Sequence, residues 1–80
     1  MSRTVCVYPG TFDPFTLGHL DILTRAAKIF DHVTVGILNN IRKTPVFSVE
    51  ERIFLVEQAA KGAGIANFSV KSFDGLLVDF

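Results

Sequence analysis

The sequence predicts an α/β fold, with a parallel sheet built in the order β-α-β-α-β and followed by the start of a further helix. Two observations predict this fold. Short apolar runs alternate with longer segments in which apolar residues recur every three or four positions. Glycine and proline stand between many of these segments, where turns are needed. Strands that alternate with helices are joined by right-handed crossovers, which leave the strands parallel.

The first strand and the first helix are separated by a short loop. Residues 4–8 are β-prone, and Pro9 and Gly10 are expected to end that strand. A helix is predicted over residues 17–30 because its apolar residues share one face. That face carries Leu23, Ala26, Ala27 and Phe30.

The second strand and the second helix follow. Residues 33–38 form a nearly continuous apolar run, which favours a strand buried on both faces. After a loop over residues 39–47, Ser48 and Glu51 have the spacing of a capping box that begins a helix. The apolar face of this helix is predicted to carry Val56, Ala59, Ala60 and Ala63, and Gly62 and Gly64 are expected to help end it.

The last part of the chain predicts a third strand over residues 67–72. Residues 73–75 are expected to turn the chain, and residues 76–80 to begin another helix. Three strands make a thin sheet, and a chain of 80 residues is marginal as an independent domain. We therefore expect residues 1–80 to be the N-terminal part of one larger domain, with a small complete domain as the alternative.

Composition excludes several classes of protein. Lysine and arginine together number eight, as do aspartate and glutamate, so the chain lacks the basic character of a nucleic-acid-binding protein. No apolar run reaches 18 residues and the N-terminus does not resemble a signal peptide, so no membrane span or secretion is expected. The lone cysteine, Cys6, predicts a buried thiol in a reducing cytoplasm.

Three segments follow predicted strands, and ligands of open parallel sheets bind beyond the carboxyl ends of the strands. These segments are residues 9–19, 39–47 and 73–77. The second holds Arg42 and Lys43, and a lysine there can reach a phosphate as a mobile point charge. Neither a P-loop nor a dinucleotide-binding glycine fingerprint is present.

The first of these segments offers the features of a phosphate site. Gly10 allows close approach of the backbone, and Thr11 adds a hydroxyl and an N–H group. Gly18 and His19 fall in the first turn of the predicted helix, where free N–H groups and the helix dipole favour an anion. Gly18 leaves room for a phosphate, and His19 can donate a hydrogen bond to it.

Each of these residues also has a structural interpretation. His19 alone is as consistent with a helix cap as with a ligand contact, and Lys43 alone is typical of a solvated loop. Asp13 is consistent with an Asx-turn instead of a metal ligand. We expect a structural role for His32 near the end of the first helix, and the sequence identifies no partner for Arg52.

The combination of motifs resembles one family. Residues 16–19 read Thr-Leu-Gly-His, which matches the [His/Thr]-x-Gly-His motif of the nucleotidyltransferase superfamily of Rossmann-like α/β enzymes. With Tyr-Pro-Gly-Thr-Phe-Asp-Pro over residues 8–14 and Leu-Asp-Ile after the motif, the segment resembles the phosphopantetheine adenylyltransferases. Cytidylyltransferases and nicotinamide mononucleotide adenylyltransferases usually have histidine where Thr16 stands. The resemblance extends over about residues 5–80.

This resemblance implies transfer of an adenylyl group from ATP to 4′-phosphopantetheine, which gives dephospho-coenzyme A and pyrophosphate in coenzyme A biosynthesis. It implies that Thr11 contacts the phosphopantetheine phosphate and, with the Phe12 backbone, ATP. His19 is implied to bind the ATP phosphates and to stabilise the transition state. Lys43 is implied to hold the phosphate being joined, and Leu77 to touch the pantetheine arm. The supporting residues are Gly10, Thr16 and Gly18.

The resemblance further implies Mg²⁺ bound with ATP, and no cluster of carboxylates in the sequence predicts a protein metal site. It implies a hexamer for the intact protein. Family members are about twice as long, and their Arg-Gly-x-Arg and Ile-Ser-Ser/Thr segments are absent from these 80 residues. The alternatives are a non-catalytic half-domain that packs against a partner, and a related nucleotidyltransferase with another phosphorylated acceptor.

Overall fold

The computed structural model describes residues 3–39 and 46–74. The strands are β1 (Val5–Gly10), β2 (His32–Asn39) and β3 (Phe68–Asp74), and the helices are α1 (Leu17–Ile29) and α2 (Val49–Gly62). The order β-α-β-α-β confirms the predicted α/β class. The further helix predicted over residues 76–80 lies outside the described residues.

The three strands form one parallel sheet in the order β1-β2-β3. The prediction that Pro9 and Gly10 end β1 is wrong, because both continue the strand opposite Gly36 and Ile37. Proline lacks an N–H group and is tolerated on a strand that pairs along one side, as β1 does among the described residues. The turn predicted from residue 73 is also wrong for its first two positions, since β3 extends to Asp74.

The core lies between the sheet and the two helices. Val33, Val35 and Ile37 of β2 point to the helices and are fully buried. They pack in one cluster with Leu23 of α1 and Val56 of α2. The prediction that β2 is buried on both faces is therefore only partly right, because most residues that alternate with these three are half-buried. On the face away from the helices, the side chains of β1 are exposed: Val5 by 55% and Val7 by 50%.

The predicted helix faces are largely confirmed. In α1, Leu23 is buried, and Ala26, Ala27 and Phe30 are half-buried. In α2, Val56 and Ala60 are buried and Ala59 is half-buried, but Ala63 is exposed as the C-terminal cap. Arg52, one turn before Val56, is buried instead. Gly64 follows the helix with a φ of +78°, which glycine adopts without strain.

Polar side chains join the ends of these elements. The Asn67 amide donates to the carbonyl oxygens of Ala27 and Phe30 at 2.9 and 3.1 Å, and these carbonyls belong to the end of α1. His32 begins β2, and its Nε2 lies 3.0 Å from the Ser69 hydroxyl of β3, which confirms the structural role predicted for it.

Neither described helix is long and apolar enough to cross a membrane.

Candidate active site

The first helix begins with a capping box made of a threonine and a histidine. The Thr16 hydroxyl accepts from the His19 backbone N–H at 3.3 Å, and His19 Nδ1 accepts from the Thr16 backbone N–H at 3.0 Å. In the second helix, Ser48 and Glu51 form the same pattern, as the sequence predicts. His19 therefore occupies the position that a glutamate occupies in an ordinary capping box.

This contact fixes the hydrogen on the His19 ring. A backbone N–H can only donate, so Nδ1 must present its lone pair to Thr16. The neutral ring then carries its hydrogen on Nε2. No acceptor for Nε2 is found among residues 3–39 and 46–74. The motif thus holds a histidine with its donor directed away from the cap, beside the N-terminus of α1.

Aromatic rings hold the His19 imidazole from two sides. Phe15 stacks on it, with ring centroids 5.6 Å apart and an interplanar angle of 29°. Phe12 meets it edge-on, with centroids 5.0 Å apart. Phe12 also contacts Tyr8 of β1 at 5.1 Å, so the imidazole is packed onto the end of the first strand. Burial raises the pKa of Tyr8 in this cluster above its ordinary value of 10.0.

The N-terminus of α1 is open to an anion. Its first turn holds no acidic side chain, whereas the first turn of α2 carries Glu50 and Glu51. A Cβ atom built at Gly18 would find only the Thr16 hydroxyl within 4 Å, at 3.7 Å. Room for a group the size of a methyl is therefore open beside Gly18 among the described residues, next to the positive end of the helix dipole.

Gly10 has a packing role that the sequence does not predict. A Cβ atom there would lie 2.7 Å from Cζ of the Phe12 ring, which leaves no room for a side chain. Phe12 itself is 3% exposed and has a φ of +51°, in the left-handed region that residues other than glycine rarely adopt. Because its side chain is buried, Phe12 can offer a ligand only its backbone.

The loop after β1 is tied to the start of α2. The two carboxylate oxygens of Asp13 accept from the backbone N–H groups of Val46 and Phe47, at 2.7 and 2.8 Å. Asp13 therefore contacts a distant segment through both oxygens rather than closing an Asx-turn. The Asp13–Pro14 peptide bond is cis.

Arg52 is the important residue that the sequence analysis missed. Its side chain is 1% exposed and donates to the carbonyl oxygens of Thr11 and Leu38, at 3.0 and 3.2 Å. A signal for it exists, because Arg52 stands four residues before Val56 and continues the apolar face of α2. A charged residue on such a face is buried only if it has partners.

The predicted site residues are only partly brought together by the described structure. Thr11, Phe12, Thr16, Gly18 and His19 lie in the loop after β1 and the first turn of α1, and Gly10 packs beneath Phe12. Arg42, Lys43 and Leu77 lie outside the described residues. Within residues 3–39 and 46–74, no three histidine, cysteine, aspartate or glutamate side chains are grouped as metal ligands.

Comparison with known proteins identifies a family for this chain. A family model described as Cytidylyltransferase-like matches residues 7–80. The chain is 55% identical over 74 residues to a phosphopantetheine adenylyltransferase of Lachnoclostridium phytofermentans. The aligned residues are 92% of this chain and 44% of that protein. It is 56% identical over 80 residues to the phosphopantetheine adenylyltransferase of Symbiobacterium thermophilum. Here the aligned residues are all of this chain and 47% of that protein. The chain spans about half the length of the curated relatives that it matches.

Proposed function

The chain belongs to the cytidylyltransferase-like family, and from that premise we propose that its protein transfers the adenylyl group of ATP to 4′-phosphopantetheine. The products are dephospho-coenzyme A and pyrophosphate, so the reaction is a step of coenzyme A biosynthesis. The relatives from Lachnoclostridium phytofermentans and Symbiobacterium thermophilum are named for this activity. One structural observation carries the proposal: the Thr16–His19 capping box aims an Nε2–H donor beside an open helix N-terminus.

The reaction needs two phosphates held in line. An oxygen of the 4′-phosphate attacks the α-phosphorus of ATP, and the bond from that phosphorus to the bridging oxygen of the β-phosphate breaks. Pyrophosphate leaves, and no covalent intermediate with the protein is required. Alignment of two reactants can lower a barrier by about 7–11 kcal/mol, so binding geometry is the main contribution asked of the protein.

His19 is the residue to which we assign transition-state stabilisation. Its Nε2–H donates to the ATP phosphates, where negative charge develops as the transfer proceeds. Phe15, Phe12 and Thr16 hold the ring, so little reorganisation is needed when the donor acts. One fixed donor of this kind contributes about a factor of 10²–10³ in turnover.

The other candidate site residues take the roles that the resemblance implies. Thr11 contacts the acceptor phosphate and, with the Phe12 N–H, an ATP phosphate. Lys43 holds the phosphate being joined, and Leu77 touches the pantetheine arm. Gly18 gives the phosphates access to the N-terminus of α1. Mg²⁺ bound with ATP would neutralise charge on its phosphates. No grouped protein ligands for it are found among residues 3–39 and 46–74.

We assign residues 1–80 to the N-terminal part of a single nucleotidyltransferase domain. The exposure of Val5 and Val7 on the sheet face away from the helices supports this assignment, as does the greater length of the relatives. A hexamer and a cytoplasmic location for the intact protein complete the proposal. Analytical ultracentrifugation of the cellular protein tests the hexamer.

Two alternative functions differ in what they predict. A related nucleotidyltransferase would use another phosphorylated acceptor, although Thr16 at the first motif position is typical of the phosphopantetheine enzymes. A non-catalytic half-domain would bury the exposed Val5 and Val7 against a partner and bind no nucleotide. The first alternative keeps the chemistry of the site, and the second abolishes it.

A substrate screen distinguishes the three functions. The intact cellular protein is incubated with ATP or CTP and with 4′-phosphopantetheine, nicotinamide mononucleotide or phosphocholine, and pyrophosphate release is measured. We expect release only with ATP and 4′-phosphopantetheine together, with dephospho-coenzyme A identified by its mass. Pyrophosphate release with a different nucleotide and acceptor would establish the related enzyme. If no pyrophosphate is released and no nucleotide binds, the half-domain is established.

A further inference from the structure

We propose that Arg52 is a positioning residue for phosphate binding, which acts by fixing the peptide group between Thr11 and Phe12. The inference rests on the proposed function, because it concerns how the same site presents a backbone donor to a phosphate. Arg52 lies on α2 and is separated by 41 positions from the carbonyl that it binds. It is not itself placed in contact with a substrate.

The burial of Arg52 requires an explanation. It is the charged residue that is buried among residues 3–39 and 46–74, with 1% of its surface exposed. No carboxylate in that part of the chain lies within ion-pair distance, since the arginine ion pair found there joins Arg25 to Asp21. A buried cation is unfavourable unless it is fully hydrogen-bonded. The guanidinium of Arg52 is hydrogen-bonded to uncharged carbonyl and side-chain amide oxygens instead of a carboxylate.

One of these oxygens is the carbonyl of Ser48, the N-cap of the same helix, to which Nε donates at 3.4 Å. The others belong to the carboxyl ends of two strands. Nη1 donates to the carbonyl oxygens of Thr11, just after β1, and Leu38, in β2. Nη2 donates to the Asn39 side chain at 3.3 Å, and the Asn39 amide donates in turn to Asp74 at the end of β3. The guanidinium therefore sets the position of the loop after β1 relative to the edge at which ligands of such sheets bind.

The contact with Thr11 also determines where an N–H group points. In a trans peptide the carbonyl and the N–H point in opposite directions. Because the Thr11 carbonyl is directed at Arg52, the Phe12 N–H is directed away from it. No described residue accepts a hydrogen bond from that N–H. The peptide is thus oriented with a free donor on the side opposite the buried cation.

The backbone at Phe12 needs such an anchor. Its φ of +51° is rarely adopted by residues with a side chain. Ring packing against Tyr8, Phe15 and His19 holds the side chain of Phe12. The hydrogen bond from Arg52 holds the peptide group that precedes it. Its positive charge also polarises the peptide, which makes the Phe12 N–H a stronger donor.

Lysine cannot replace arginine in this role. The guanidinium is a planar fork that reaches oxygens on separate elements at once, whereas an ammonium is a single point of charge. Arg52→Lys keeps the charge and most of the buried stem, and it loses the fork. We therefore expect the fold to survive in Arg52→Lys while the orientation of the peptide is lost.

The test uses the intact protein, with inorganic pyrophosphate as the probe. Its dissociation constant is measured by calorimetry for the wild type, Arg52→Lys, Arg52→Met, Val56→Ala and Arg25→Met. Val56→Ala and Arg25→Met are controls. Val56 is a buried residue one turn along the same helix, and Arg25 is an exposed arginine. The amide resonance of Phe12 is followed in ¹⁵N spectra during the same titrations.

We expect pyrophosphate to shift the Phe12 amide in the wild type and both controls. In Arg52→Lys that shift should be lost, and the dissociation constant should rise roughly tenfold or more, the effect of losing one hydrogen bond to a charged group. Val56→Ala should lower the melting temperature and leave the dissociation constant of the folded protein unchanged. Loss of stability and loss of binding are thereby separated.

Three results would overturn the inference, and they can be told apart. If the wild type binds pyrophosphate and Arg52→Lys binds it equally well with the same Phe12 shift, the positioning role is wrong and the proposed function stands. If Val56→Ala weakens binding as much as Arg52→Lys, Arg52 acts through stability alone. If the wild type binds no pyrophosphate, the proposed function fails and this inference fails with it.

Discussion

Alanine at each of three glycines separates packing from ligand access. At Gly10, an added Cβ atom lies 2.7 Å from Phe12 Cζ, where ordinary contacts begin at 3.4 Å. The Phe12 ring cannot move away freely, because it is buried and touches three other rings. Overpacking of a core costs about 1–3 kcal/mol. We expect Gly10→Ala to lower the free energy of unfolding by that amount.

At Gly18 the same change has the opposite effect on stability. The nearest atom to its added Cβ would be 3.7 Å away, an ordinary contact, and alanine in a helix is favoured over glycine by up to about 1 kcal/mol. The methyl group, however, would occupy the space through which the proposed function brings a phosphate to the helix N-terminus. We therefore expect Gly18→Ala to be at least as stable as the wild type and to bind ATP more weakly.

Gly62 supplies the matched control. It ends α2, and a Cβ atom there would meet nothing within 4 Å. Gly62→Ala should gain stability as Gly18→Ala does, by up to about 1 kcal/mol, and leave ATP binding unchanged. The assays are urea unfolding followed by circular dichroism, and calorimetric titration with ATP. A Gly10→Ala protein as stable as the wild type, or a Gly18→Ala protein with unchanged ATP affinity, would refute the reasoning.

Two further predictions concern stability alone. Asn67→Ala should lower the free energy of unfolding by about 1–3 kcal/mol, because it leaves the Ala27 and Phe30 carbonyls without their donor. Urea unfolding measures this, and an unchanged midpoint urea concentration would contradict it. Burial raises the pKa of Tyr8 above 10.0, so the unfolded chain ionises first. The free energy of unfolding should thus be constant below about pH 10 and fall above it, and Tyr8→Phe should reduce that fall. If the wild type and Tyr8→Phe lose stability equally above about pH 10, the prediction is wrong.

The element order and the helix starts could be predicted because local chemistry decides them. Ser48 and Glu51 form the capping box that their spacing predicts. The end of β1 could not be predicted, because Pro9 is acceptable in a strand only when that strand pairs along one side there, which depends on the neighbours of the strand. Asp74 likewise remains in β3 because it pairs with Asn39 of β2.

The candidate site residues could be named from the sequence, but the contacts that support them could not. The positions of Gly18 and His19 at a helix start follow from the local sequence. The reason for Gly10 does not, since it depends on where the Phe12 ring folds back. Arg52 was missed because most of its partners come from two distant parts of the chain, and no local pattern names Thr11, Leu38 or Asn39.

The measurement that tests the central claim most directly is the turnover of His19→Ala in the intact protein, followed as pyrophosphate release from ATP and 4′-phosphopantetheine. Glu51→Ala is the control, because it breaks the equivalent capping box on α2, away from Nε2 of His19. We predict that His19→Ala loses roughly 10²–10³ in turnover with its circular dichroism unchanged, while Glu51→Ala retains its activity. Turnover of His19→Ala within about threefold of the wild type, far below the factor assigned to one fixed donor, would contradict the account.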